Sequence, residues 1–165
     1  MSPEPTTSMP PAGGGHIVVM RLADIRMALR LSVVERVIMA VAVTPVADAP
    51  DDVVGLVDFH GTVIPILDFR GVFGFPRKAI VPSDLFVIAG AGHRKIAIPV
   101  EEVLGVAESA PGAAVPAGDI LPGLDDFIEG AVQLADGMVL IYDLERLLRK
   151  HGSFLFDRVT SGAAA

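Results

Sequence analysis

Apolar residues along this chain come in short, strand-length runs rich in Val and Ile, and the runs are broken by Gly, Pro and Asp. That punctuation predicts strands rather than helices. Ile17–Leu22 is a first strand. Ile25–Leu31 alternates, with Ile25, Met27, Leu29 and Leu31 on one face. Ser32 offers an N-cap, so Val33–Ile38 is expected to form one short helical turn. Val53–Phe59 and Thr62–Leu67 flank His60-Gly61, a hairpin turn with Gly at a positive-φ position. Leu85–Ala89 and Lys95–Val100 form a second strand pair around the segment GAGH. Phe127–Leu134 and Met138–Tyr142 form a third around Asp136-Gly137. Asp68 and Asp143 precede the stretches FRGVF and LERLLRK and read as helix caps, while Glu101-Glu102 reads as the start of another short helix. Residues 107–126 are Pro- and Gly-rich and read as a long connection, of a kind that often carries function.

The pattern repeats. GLVDFHGTVIPILDFRGVF (55–73) aligns without a gap on GAVQLADGMVLIYDLERLL (130–148), so that Gly55 meets Gly130 and Asp68 meets Asp143. MALRLSVV (27–34) aligns on IAIPVEEV (96–103). Two similar halves of short antiparallel strands predict two small barrels packed together, since closure protects strand edges. The halves fall at roughly 16–75 and 84–150 within one domain at 16–150. Residues 1–15 (MSPEPTTSMPPAGGG) read as a flexible tail, and 151–165 as a second tail in which Phe154, Leu155 and Phe156 can tuck against the body.

Composition narrows the chemistry. Of 165 residues, 52 % are hydrophobic, enough to fill a core and to exclude disorder of the whole chain. The net charge of −7 disfavours nucleic acid and anionic membrane surfaces, both of which select clustered Lys and Arg. With no Cys there is no disulfide, thiolate metal site or Cys nucleophile. No apolar run has the length of a membrane span, and no secretory signal is visible, so the cytoplasm is expected. No nucleophile elbow, zinc helix, P-loop or dinucleotide fingerprint is present. His16, His60, His93 and His151 are scattered without metal-ligand spacing. The acidic groups Asp48, Asp51, Asp52 and Asp125, Asp126, Glu129 lack calcium-loop spacing and read as solvated loops. No cofactor or metal is expected. With no Trp and one Tyr, the chain also lacks an aromatic platform for stacking bases.

The segment VVGLVDFHGTVIPILDFRGVFG (53–74), followed by IAIPVEEVLGV (96–106) and FIEGAVQLADGMVLIYDLERLL (127–148), resembles in order and spacing the CheW family of chemosensory coupling proteins. The resemblance spans about 16–150. It implies an all-β fold of two five-stranded, SH3-like β-barrel subdomains with a shared apolar interface. It implies a non-catalytic cytoplasmic adaptor that joins the cytoplasmic tip of a methyl-accepting chemoreceptor to the regulatory domain of a CheA-type histidine kinase, and that can pack with other CheW-like domains. Carried over residue by residue, it places partner binding at Val34, Gly55 and Gly61, with Leu85 near the receptor-contacting region. Read from the residues alone, Val34 and Leu85 are equally core positions, and the glycines equally permit tight backbone geometry. Two positions depart from the family. The family's N-L-R-G turn is Asp58-Phe59-His60-Gly61, so His60 stands where the family has Arg, and Arg36 stands where it often has Glu. Both changes alter charge on the expected partner-facing side, which makes His60 and Arg36 candidate contacts as well. The alternatives are a stand-alone interaction module of the same fold that binds no receptor, an enzyme lacking any nameable catalytic set, and a nucleic-acid-binding barrel.

Overall fold

The computed structural model describes residues 15–49, 52–91, 94–109, 114–116, 119 and 128–149. Residues 1–14 of the expected first tail, the whole of the second, the tip of the GAGH turn with His93, Asp51, Asp125, Asp126 and most of the 107–126 connection lie outside the described residues, while Gly15, expected in the tail, opens the first strand. The strands are β1 (Gly15–Leu22), β2 (Ile25–Arg30), β3 (Val34–Met39), β4 (Val53–Phe59), β5 (Thr62–Leu67) and β6 (Leu85–Ala91). They continue as β7 (Arg94–Val100), β8 (Glu102–Ser109), β9 (Ala114–Pro116), β10 (Ile128–Leu134) and β11 (Gly137–Tyr142). A helix, α1, covers residues 144–149. The strands form two sheets, a six-stranded one in the order β8-β1-β2-β11-β10-β9 and a five-stranded one in the order β3-β6-β7-β5-β4.

The sheets do not divide along the two halves of the chain. The opening hairpin β1–β2 sits in the sheet closed by β10 and β11, and the hairpin β6–β7 sits in the sheet closed by β4 and β5. Each half thus lends its opening hairpin to the other. The joints are the two parallel pairings, where Ile141 meets Ala28 and Ile66 meets Ala97. The expected boundary between 75 and 84 separates two copies of a sequence pattern, but not two sheets.

The reason lies in the hairpins' side chains. β1 buries Val18, Met20 and Leu22 on one face and Ile17 and Val19 on the other. Alternation normally leaves one strand face wet, so a strand that is apolar on both faces must be covered on both. One face fills its own subdomain. In the six-stranded sheet that core is Ile17, Val19, Ala28, Val132, Val139 and Ile141; in the five-stranded sheet the equivalent positions are Phe86, Ile88, Ala97, Val57, Ile64 and Ile66. The other face joins a shared core in which Met20, Met27 and Leu29 meet Val87, Ile96 and Ile98, roofed by Leu144, Leu147 and Leu148 of α1. Phe69 and Tyr142 stack across this core at 5.4 Å. At roughly 1.5–3 kcal/mol per buried side chain, uncovering one face of β1–β2 would cost on the order of 10 kcal/mol, comparable to a whole domain's net stability.

Each sheet is also closed at its edges in the same way. Thr44, beyond the end of β3, pairs with Leu56 of β4 through two hydrogen bonds of 2.9 and 2.8 Å. In the six-stranded sheet that place is taken by β9, with Val115 opposite Ala131 of β10. The sixth strand is therefore the fuller version of a single bridge, and the two subdomains otherwise match the expected pair of five-stranded units.

Several local expectations are corrected. Val33–Ile38 is not helical: a 3-10 turn spans Leu31–Val33, its N-cap residue is Arg30 with no side-chain cap, and Val34 opens β3. The β-branched run finds a backbone partner in β6, with Val37 opposite Val87, and pairing overrides the weak cap signal. Glu101-Glu102 does not start a helix either; Glu102 opens β8, which pairs with β1. Part of the 107–126 connection is strand, at 107–109 and in β9. The β10–β11 turn falls one residue early, on Ala135 and Asp136, with Gly137 at φ +139° opening β11 opposite Leu134. Asp143 does cap α1, its Oδ1 accepting from the Arg146 N–H at 3.1 Å.

If the exchange of hairpins holds the fold together, residues 1–80 and 81–165 produced as separate chains should each lack a cooperative thermal transition by circular dichroism. Mixed, they should regain the spectrum and the transition of the intact chain.

Candidate functional site

The β4–β5 hairpin presents the most exposed of the candidate residues. His60 at φ +53° and Gly61 at φ +83° form a two-residue turn with both residues left-handed, the arrangement whose twist matches the flanking strands. The Gly61 N–H donates to Asp58 Oδ1 at 2.9 Å, which fixes the turn from below. Before the turn, Phe59 packs partly into the five-stranded subdomain's core. The His60 ring meets the Phe59 ring edge-on at 4.4 Å. From β3, the Arg36 guanidinium lies over the same ring, 5.6 Å from its centroid. Phe59 thus gathers Arg36 and His60 into one exposed shelf. Strand alternation alone would assign Phe59 to the core, so its second role as the surface joining Arg36 and His60 is invisible in the sequence.

The other candidates sit differently. Val34 opens β3 opposite Ala89, half-buried against the shared core. Leu85 lies opposite Met39 at the far end of β3 and packs on the same core. Gly55 is buried in β4 beneath the closing segment: a Cβ there would stand 2.5 Å from the Thr44 carbonyl oxygen and 2.7 Å from Val43 Cγ1. Its counterpart Gly130 has the Val115 carbonyl oxygen at the same 2.5 Å. Both glycines are required by close backbone approach. Gly61 has open space around its missing Cβ and is required only by its φ.

A charged cluster that the sequence reading missed lies at the junction of the two subdomains. Arg70, only 3 % exposed, donates to Glu101 Oε1 at 2.8 Å and lies 3.4 Å from Asp68. Asp68 Oδ1 also accepts from the Arg70 N–H at 3.0 Å, but the N-cap of the 3-10 turn Arg70–Phe73 is Phe69, without a side-chain cap, so Asp68 serves the ion pair rather than the expected cap. Glu101 further accepts from Arg21 Nη1 and from the Ala23 N–H, each at 3.0 Å. Arg21 belongs to the six-stranded sheet and Arg70 follows β5 of the five-stranded one, so Glu101 pins the two together. The Arg70 hydrogen bond, reinforced by the Ala23 N–H and Arg21, holds the Glu101 carboxyl below its ordinary value of 4.5 against the opposing effect of burial. The available signal was a charge embedded in the apolar run ILDFRGVF, which capping chemistry only partly explained.

An apolar groove of about 520 Å³ runs beside the closing segment, lined by Val41, Val43, Val54, Ile80 and Val81. Among the described residues no three carboxylate or imidazole groups are arranged to hold a metal, and no helix is long and apolar enough to cross a membrane.

This is a duplicated all-β protein of two interlocked subdomains, with its chemistry on the surface and at the junction between them. The model of the CheW-like domain matches residues 16–151, and the chain belongs to that family. It is 26 % identical over 118 residues to the chemotaxis protein CheW of Klebsiella aerogenes, covering 71 % of each chain. It is 22 % identical over 134 residues to the chemotaxis protein CheW of Rhizobium meliloti, covering 81 % of this chain and 86 % of that one. The solved structure of the scaffolding protein TtCheW from Thermoanaerobacter tengcongensis superposes with a TM-score of 0.70 at 23 % identity, over 78 % of this chain and 88 % of that one, and shows the same fold.

Two measurements test this geometry. Gly55→Ala should lower stability by about 2 kcal/mol in urea unfolding, because the closing backbone must shift, whereas Gly61→Ala should cost about 1 kcal/mol through its φ alone. Glu101→Gln should cost roughly 2 kcal/mol at pH 7 by leaving Arg70 with a weaker partner. Because the folded-state carboxyl titrates below its unfolded value, Glu101 stabilises above pH 4.5 and that contribution is lost as the pH falls through the folded value. The stability difference between wild type and Glu101→Gln should therefore shrink on acidification below pH 4.5.

Proposed function

We propose that this chain is a non-catalytic adaptor of bacterial chemosensory signalling, working in the cytoplasm to couple a chemoreceptor's cytoplasmic tip to a CheA-type histidine kinase. The observation that carries this reading is the CheW-like domain match over residues 16–151. The physical form agrees. An adaptor needs separate surfaces held in a fixed relation, and the shared core and the Glu101 pin supply that rigidity. Arg36, His60 and Gly61 offer a contact surface at the β4–β5 hairpin, while Val34 and Leu85 shape it from the core side of β3 and β6. Gly55 acts through the closing segment, so its substitution would weaken partner binding by disturbing the fold. Single contacts of this kind are modest, and many simultaneous ones in an assembly give avidity.

The test is affinity capture from the native cell with the tagged full chain. A CheA-type kinase and a chemoreceptor should both be enriched over an untagged control. Enrichment of neither would refute the coupling role, and enrichment of the kinase alone would favour an interaction module that binds no receptor.

A further inference from the structure

We infer that the Arg36–Phe59–His60 shelf docks an acidic side chain of the partner protein; this deepens the adaptor reading above and rests on it. The argument begins with the chain's charges. Arg21, Arg26, Arg30, Arg70, Lys78 and Lys95 each have a carboxylate partner. Arg36 has none among the described residues, although the chain carries a net charge of −7 and carboxylates are abundant. The two nearest acids in sequence and fold are committed elsewhere. Glu35 pairs with Lys95 at 3.0 Å, and Asp58 accepts from Gly61.

What Arg36 does have is a ring beneath it. A contact with the ring uses none of the guanidinium's N–H donors on an oxygen acceptor and leaves them for a carboxylate. A side chain held this way loses less entropy when it binds, and its fork matches a carboxylate bidentately. The His60 imidazole, edge-on to the same ring, adds a second nitrogen-bearing side chain to the shelf. One guanidinium on an acidic chain is too little to hold a polyphosphate, whose affinity comes from several neutralised charges, but it suffices for one carboxylate.

Among the described residues the shelf has no counterpart in the other subdomain. The positions equivalent to Arg36 and His60 in the other subdomain are Gly105 and Ala135, related by the matching bulges opposite Ile88 and Val19 and by the repeat itself. Gly105 and Ala135 provide no donor side chain. An acidic partner can therefore tell the two otherwise similar subdomains apart, and the contact fixes which way the adaptor faces.

The test uses the full chain with two probes from the same organism, the chemoreceptor cytoplasmic fragment and the kinase regulatory domain, by titration calorimetry at low and high salt. Arg36→Glu should weaken one of the two complexes about tenfold or more at low salt and leave the other unchanged. Arg36→Lys should lie between wild type and Arg36→Glu, His60→Ala should weaken the same complex, and 0.5 M salt should shrink every difference. An acid-to-Lys substitution in the affected partner should restore binding to Arg36→Glu. Circular dichroism of each variant separates a contact effect from a folding effect. Wild-type binding to both probes that Arg36→Glu and His60→Ala leave within about twofold would overturn the inference while sparing the adaptor reading. A wild-type chain that binds neither probe would overturn both. Retention on single-stranded DNA that Arg36→Glu abolishes, with both protein complexes intact, would mean that the shelf reads phosphate and the inference is wrong.

Discussion

The structure depends on one constraint: the opening hairpins β1–β2 and β6–β7 are apolar on both faces. A strand of that kind has no wet side and cannot sit at the surface of a small barrel. Each hairpin therefore fills its own subdomain with one face and the shared core with the other, where Met27 and Leu29 meet Ile96 and Ile98. The parallel joints of β2 with β11 and β7 with β5 follow from the same requirement. So does the placement of α1, whose leucines cover the remaining side of that core. Two subdomains built this way cannot separate without exposing both hairpins.

Against that symmetric background, the polar chemistry sits where the two copies differ. Arg70 is buried at the junction, while the equivalent Glu145 of α1 is exposed. The shelf residues Arg36 and His60 have Gly105 and Ala135 as counterparts. A buried Arg surrounded by Asp68 and Glu101 adds little net stability, because desolvation offsets much of the attraction. Its geometry instead specifies one arrangement of the two sheets, since Glu101 takes donors from both. The positions that match between the two halves supply the core, and the positions that differ distinguish one side of the molecule from the other.

What the sequence by itself determined was set by local rules. Period-two alternation and Gly, Pro and Asp punctuation placed the long strands, the repeat of Gly55 on Gly130 marked two related halves, and His60-Gly61 was legible as a turn because few residues tolerate its backbone. The absence of a helix at Val33–Ile38 was not legible, because a β-branched run takes whichever backbone partner the tertiary fold provides, and there β6 provides one. Tertiary structure alone decided that the halves exchange hairpins, that Phe59 carries Arg36 and His60, and that Glu101 meets Arg70 rather than capping a helix. Each of these joins residues far apart in the chain. Hydrophobic pattern states that a face must be buried and leaves open which face buries it; only packing the two sheets together selects the partner.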